Sequence, residues 1–294
     1  MGIASDSPWA RFRAEFAESR LAMLGLALLL VIVTIGVFAP VISPQNPYDL
    51  AQIDVMDSKL APGEKSADGH TFWLGTDDQG RDMLSGIFYG LRISLGVGIA
   101  STVLALAIGL AFGLVAAYFG GWTDTIIMRI VDIQLSFPAI LIALVLLAVL
   151  GQGVDKIVIA LVTVQWAYYA RTVRSSALVE RQKEYIEAAR VLALGQGRIV
   201  FRHLLPNCLP PLIVVATVQV AHAIALEATL SFLGLGLPIT EPSLGLLISN
   251  GFQYLLSGKY WISFYPGLAL LLTIMAINLV ADQLRDILNP RLRK

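Results

Sequence analysis

Apolar residues along this chain fall in long unbroken runs, not in the alternating or three-to-four-residue rhythms of half-exposed strands and helices. Residues 21–41, 93–118, 133–154 and 260–281 contain no charged side chain, and 204–221 is a fifth such run, extendable past His222 toward Glu227. Roughly 20 apolar residues are needed to span a bilayer as a helix, so each run predicts a transmembrane helix. The run 157–170 is shorter, but Lys156 and Arg171 flank it and can snorkel to the two interfaces. The stretch 244–256 is interrupted by Ser249, Asn250 and Gly251; too short to cross, it reads as a re-entrant or interfacial helix. The pattern predicts an all-α, polytopic membrane protein with six transmembrane helices.

Composition agrees: 56% of the 294 residues are hydrophobic and 14% charged, against about 25% charged in a soluble domain. Net charge is zero, which rules out a nucleic-acid reading based on bulk basicity. The one cysteine, Cys208, has no partner for an internal disulfide. The first run is too long for a signal peptide and lacks a small-residue cleavage site. Arg11, Arg13 and Arg20 precede it and should hold the N-terminus inside. Six spans then place fifteen of the 21 Lys and Arg residues on the cytoplasmic side and leave six outside: Lys59, Lys65, Arg81, Arg92, Lys156 and Lys259. Both termini are therefore expected in the cytoplasm.

The expected organisation is a cytoplasmic segment 1–20, an anchor helix 21–42, an extracytoplasmic loop 43–92, a five-helix core 93–284 with a cytoplasmic loop 176–207, and a cytoplasmic tail 285–294. The outer loop holds eight acidic residues, Asp68 among them, against four basic ones. Within it Gly75 and Gly80 bracket Asp77 and Asp78, and Arg81 and Asp82 can close a turn through charge-assisted hydrogen bonds. These four charged residues are candidates for docking an outer partner. The second span carries a stripe of small residues, Thr102, Ala105, Gly109, Gly113 and Ala117. Gly109 and Gly113 at its centre predict close approach of another helix.

Chemistry-bearing constellations are scarce. No phosphate-binding G-x-x-x-x-G-K-[S/T] loop occurs, and His70, His203 and His222 are too dispersed for a metal site. His222 and Glu227 are the polar exceptions inside a span and hence candidates for lining a pathway. Five residues apart, they sit about 140° from each other around a helix, so a structural hydrogen-bonding role for each is the competing reading.

The most polar segment is residues 184–207, EYIEAARVLALGQGRIVFRHLLPN. Residues 179–194 are expected to be helical, with Glu180, Glu184 and Glu187 on one side and Ile186, Ala189 and Ala193 on another. Gly195 and Gly197 should break that helix, and Pro206 should start the next span. The paired alanines, Ala188 and Ala189, lack bulk and would let a groove of another protein close around them, with Arg190 and Arg198 meeting acidic groups.

This segment resembles the "EAA" coupling motif of bacterial ABC importer permeases: Glu187-Ala188-Ala189 and Leu205-Pro206 match. The family glycine falls on Ala193, and Gly195 is the expected substitute at the turn. Residues 73–82 (WLGTDDQGRD), 230–236 (LSFLGLG) and 282–290 (DQLRDILNP) are similar to the C-type subunit of the dipeptide/oligopeptide/nickel permease group, as are 118–121 (YFGG) and 128–132 (MRIVD). Ala281, Gln283 and Asn289 depart from the usual form of the last motif. The resemblance covers about residues 20–292 and implies the type I ABC importer permease fold. It implies no catalysis and no cofactor on this chain, ATP and Mg belonging to two cytoplasmic ATPase subunits. A B-type permease and an extracytoplasmic substrate-binding protein are the other implied partners, with Glu184, Glu187, Ala188, Ala189, Arg190, Gly195 and Pro206 as the ATPase-coupling residues. Peptides are the expected cargo. A secondary transporter or channel without an ATPase is the rival, and it would need ionisable or unwound mid-span positions on its own pathway.

Overall fold

The computed structural model describes residues 8–66, 69–238 and 240–288. Asp68, the Asn289–Pro290 end of the C-terminal motif and the tail cations Arg291, Arg293 and Lys294 lie outside the described residues. Among those described, the chain is helical and without strands, with only two isolated bridges, Lys65 to Thr71 and Thr76 to Asp82.

Helix α1 (Pro8–Glu18) sets Phe16 against Ala22, Val280 and Ile287. At Ser19 the chain turns, and its hydroxyl accepts the Ala22 amide at 3.2 Å to cap α2 (Arg20–Ile42), the anchor helix. After the outer loop comes α3 (Met83–Phe119), 37 residues and about 56 Å long at 1.5 Å per residue. It begins ten residues before the apolar run, because Asp82 caps it inside the folded loop. Helix α6 (Val154–Arg181) lies along α3, and α9 (Leu205–Phe232) and α11 (Trp261–Leu288) close the bundle against α2 and α3. The short α10 (Leu244–Phe252) packs on α9 and α11 and is far too short to cross.

The third expected span is not one straight helix. It divides into α4 (Gly121–Leu135) and α5 (Ala139–Leu150), which meet at 89°. Pro138 is the reason: it has no amide proton to continue a helix and biases Phe137 away from helical dihedrals. Four helices are long and apolar enough to cross a membrane, Arg20–Ile42, Met83–Phe119, Gln196–Phe232 and Trp261–Leu288, and the bent pair makes a fifth if it counts as one span. The expected sixth, 157–170, lies inside α6, which is long enough but polar, carrying Asp155, Lys156, Arg171 and Arg174. Part of that polarity is met within the fold: Arg174 pairs with Asp124 and Arg171 with Asp132, both on α4.

Candidate functional site

The segment between α6 and α9 is a helical hairpin. The expected continuous helix over 179–194 is broken at Gln182 and Lys183, and α7 (Glu184–Val191) starts afresh. The carboxylate of Glu180 clamps the break, accepting from Lys183 Nζ and from Tyr185 Oη, each at 2.6 Å. Partial burial and then that hydrogen bond push the Tyr185 phenol well above its usual range. Arg181 donates to the Ala117 carbonyl at 2.9 Å, tying the root of the hairpin to the end of α3.

Helix α7 ends in a tight reversal. The amide of Leu194 donates to Ala189 O (3.1 Å) and that of Ala193 to Arg190 O (2.9 Å), the paired bonds of a Schellman ending. That ending needs a left-handed residue, and it is Ala193, at φ 53°. Gly195, expected to make the turn, has an ordinary φ of −57°. Its role as turn residue is thus corrected: the left-handed position is the one where the resembling family has glycine.

The placing of Ala189 is corrected too. It is 5% exposed and packs inward with Ile186, Leu194 and Ile199, so it is unavailable to another protein. Outward-facing are Glu184, Glu187, Ala188 and Arg190, and beside them Val191 and Leu192, 86% and 72% exposed. Sequence reasoning missed this last pair. Its signal was two bulky apolar residues in succession at a helix end, where only one of them can join the inner face.

From Gly195 the chain enters α8 (Gln196–Arg198), then a single π-helical stretch, Ile199–Leu204, that runs directly into α9. Prolines explain the wide turn. Pro206 has no amide proton for the Arg202 carbonyl, and the Leu205 amide reaches back five residues to Val200 O. Asn207 Nδ2 takes up the His203 carbonyl at 2.7 Å.

The outer turn 75–82 is ordered, and its charges are spent on itself. Asp77 accepts from the amides of Gln79 (2.8 Å) and Arg81 (2.9 Å) and pairs with Arg81 Nε at 2.6 Å, both side chains nearly fully buried. Asp82 accepts from Ser85 N (2.9 Å) and Oγ (2.6 Å) as the cap of α3. Thr76 Oγ1 donates to Asp57 O at 2.5 Å, and its carbonyl accepts from Trp261 Nε1 at 3.2 Å, stitching the turn to α11. Gly75 and Gly80 are left-handed, at φ 79° and 82°; a Cβ on Gly75 would come within 2.6 Å of Leu60 O. Asp77, Arg81 and Asp82 therefore cannot serve as exposed docking charges, because buried charges must be paired and hydrogen-bonded where they stand. Asp78 is only half-buried, and its Oδ1 has no hydrogen-bond partner. Burial, and then the neighbouring Asp77, hold its carboxyl above the usual carboxylate range.

Inside the bundle the small-residue stripe of α3 faces α6. A Cβ on Gly109 would meet Trp166 O at 2.5 Å and Ala170 N at 2.9 Å, and one on Gly113 would meet Ala170 O at 2.6 Å. The two polar candidates of α9 point to different sides. Glu227 is 0% exposed and accepts from Ser94 Oγ (2.9 Å) on α3 and Ser231 Oγ (2.8 Å) on its own helix. It lines no pathway in this structure; it joins α3 to α9. His222 is exposed and borders a groove shared with Gln165, Tyr168, Gln219 and Thr229.

Comparison with known proteins follows the same lines. A family model described as "Binding-protein-dependent transport system inner membrane component" matches residues 109–294, and "N-terminal TM domain of oligopeptide transport permease C" matches residues 7–62. The dipeptide transport system permease protein DppC of Alkalihalophilus pseudofirmus is 36% identical over 287 residues, 98% of this chain and 91% of that one. The di/tripeptide transport system permease protein DppC of Pseudomonas aeruginosa is 38% identical over 292 residues, 99% and 95% of the two chains. Among solved structures, a chain of the MetNI methionine ABC transporter in an inward-facing conformation aligns with a TM-score of 0.57 at 23% identity, over 70% of this chain and 98% of that chain. That likeness is one of fold.

Proposed function

Since the chain belongs to the family of binding-protein-dependent transport system inner membrane components, we propose that it is one of two permease subunits of an ATP-driven importer of di- and oligopeptides. The observation that carries the coupling half of this reading is the outward ridge of α7. Val191 and Leu192 stand 86% and 72% exposed at the tip of a polar hairpin, beside Ala188 and flanked by Glu187 and Arg190. An apolar knob on a polar stalk fits a groove on a cytoplasmic ATPase, with exposed charge pairs around it adding only about 0–1 kcal/mol each. The stalk is rigid, clamped by Glu180 at its root and continuous with α9 at its exit, so a push on α7 reaches the bundle through α6 and α9.

ATP and Mg belong to the partner subunits in this reading. A B-type permease supplies the other half of the path, and the termini are cytoplasmic, following the excess of Lys and Arg on that side. The folded outer loop then faces an extracytoplasmic binding protein with Val55, Met56 and Trp73, which are exposed, in place of the buried Asp77, Arg81 and Asp82. Peptide as cargo rests on the names of the relatives, two of them dipeptide or di/tripeptide permeases.

The test is purification of the tagged complex followed by reconstitution. ATPase chains should accompany this subunit, and proteoliposomes should take up a dipeptide only with ATP in the ATPase-facing compartment and the binding protein on the opposite side. Val191→Glu with Leu192→Glu should leave the permease folded and shed the ATPases. Uptake that proceeds without ATP, or a double variant that keeps its ATPases and transports normally, refutes the proposal.

A further inference from the structure

The groove beside His222 is unusual for a membrane-spanning bundle. It has a volume of about 460 Å³ and lies between the first turn of α5, the middle of α6 and α9. Its polar lining holds no Asp, Glu, Lys or Arg: Gln165 and Tyr168 on α6, and Gln219, His222 and Thr229 on α9. Gln165 is eleven residues from the start of α6 and His222 ten from the end of α9, so each lies about 15–17 Å in from that helix end; with both ends at the outer face, as the six-span reading has them, that is half the depth of a hydrocarbon core of about 30 Å. Polar side chains at that depth face a bundle interior or a water-filled cavity, not lipid.

Two features point to a ligand. Gln219 is nine-tenths buried, borders the groove and makes no hydrogen bond among the described residues. The Gln219 amide does not belong to the buried polar groups left without a partner; it opens into the groove and is free to bond what enters there. The second is the break at Pro138. It brings the N-terminus of α5 to the groove wall through Ala139 and Ile140, and no side chain caps it. The first amides of a helix lack intrahelical acceptors and carry the positive end of its dipole. The Leu141 and Ile142 amides are taken by Pro138 O, at 3.0 and 3.4 Å, which leaves those of Ala139 and Ile140 as the donors this interrupted helix can offer an anion without any charged side chain.

We propose that this groove is a peptide contact on the translocation path: the first turn of α5 receives the peptide's carboxylate, and Gln165 and Gln219 hydrogen-bond its backbone. This rests on the peptide reading above and deepens it. Amides and backbone N–H groups recognise what all peptides share, and no carboxylate, ammonium or guanidinium in the lining selects among their side chains. His222 and Tyr168 form the rim.

The experiment uses the assembled transporter in proteoliposomes, with Cys208→Ser as parent and Thr229→Cys or Tyr168→Cys added singly. A hydrophilic, membrane-impermeant maleimide should modify both cysteines, and millimolar trialanine should slow the reaction about fivefold or more, trialanine amide distinctly less. Gln219→Leu should raise the KM for trialanine uptake about tenfold, the worth of roughly one amide hydrogen bond. Modification only by a lipid-soluble maleimide would mean the face is turned to lipid, and resistance to both reagents would mean the partner permease covers it. Either result overturns the inference, as does equal labelling with and without peptide; all three leave the transporter reading standing if the parent imports trialanine. A parent that hydrolyses ATP yet moves no trialanine removes the peptide reading and this inference together.

Discussion

Gly109 is where the packing of the core is most exposed to test. Adding a single methyl places a carbon 2.5 Å from the Trp166 carbonyl and 2.9 Å from the Ala170 amide, and against Tyr169 Cβ as well. The obstacles are mostly backbone and cannot rotate aside. To restore ordinary contact, α3 and α6 must separate by about 1 Å, and a gap of 0.5–1 Å forfeits a quarter to a half of each van der Waals well. Buried Ala105, Leu114, Tyr169 and Val173 share that interface. Overpacking of this kind costs about 1–3 kcal/mol, which at about 2–4 °C per kcal/mol lowers the melting temperature by about 2–12 °C for Gly109→Ala, and by more for Gly109→Leu. Gly96→Ala is the control: on the same helix, exposed, with nothing within 4 Å of the added carbon, it should melt no lower than the parent. The assay is thermal unfolding of the purified complex together with its yield. A Gly109→Leu complex with the parent's melting temperature would show that α3 and α6 do not meet at this stripe.

Other substitutions probe separate elements. Asp77→Ala removes one partner of a buried pair and should cost about 3–5 kcal/mol, seen as new protease cleavage within the outer loop. Asp78 titrates above the usual carboxylate range, so the folded loop binds its proton more readily than the unfolded one, and stability falls as pH rises through that window; Asp78→Asn should flatten this fall in a melting series against pH. Ala193→Gly relieves a left-handed alanine that costs about 1 kcal/mol and should slow hydrogen exchange at the Leu194 amide, while Gly195→Ala, at φ −57°, should change little. Ala189→Trp should disrupt the hairpin itself, detected as proteolysis between residues 184 and 204. Ala188→Trp should leave it folded but lower ATPase retention.

Runs of apolar residues were legible because lipid demands them continuously: 21–41 and 260–281 became Arg20–Ile42 and Trp261–Leu288. The break at Pro138 was not read, since its neighbours on both sides are as apolar as a straight span and only the proline marks the corner. The helix expected over 179–194 breaks at Gln182 and Lys183, and within α7 Ala189, expected to meet another protein, turns inward. Ala188 and Ala189 are alike in composition, and which of them faces inward depends on Ile199, on the far side of the reversal. Glu227 was visible as an anomaly, yet its partner Ser94 lies 133 residues away on another helix, beyond the reach of any local pattern. The acidic turn at 75–82 was expected to be ordered, and so it is. Its burial came from Trp261 and residues 54–60 folding over it, which made structural groups of side chains that local composition suggested for display.

The π-helical stretch at Ile199–Leu204 has an evolutionary meaning. An i→i+5 turn holds one residue more than an α-turn, and each residue of an α-helix is worth 100° of rotation. The wide turn absorbs that extra residue, so the hairpin keeps nearly the setting relative to α9 that plain α-helix with one residue fewer would give it. A π-turn is therefore a way to take in one added codon without turning the neighbouring segments by the 100° that an added residue imposes on straight α-helix. The ridge of Val191 and Leu192 keeps its aim at a cytoplasmic partner, and the buried contacts of α9 stay where they were.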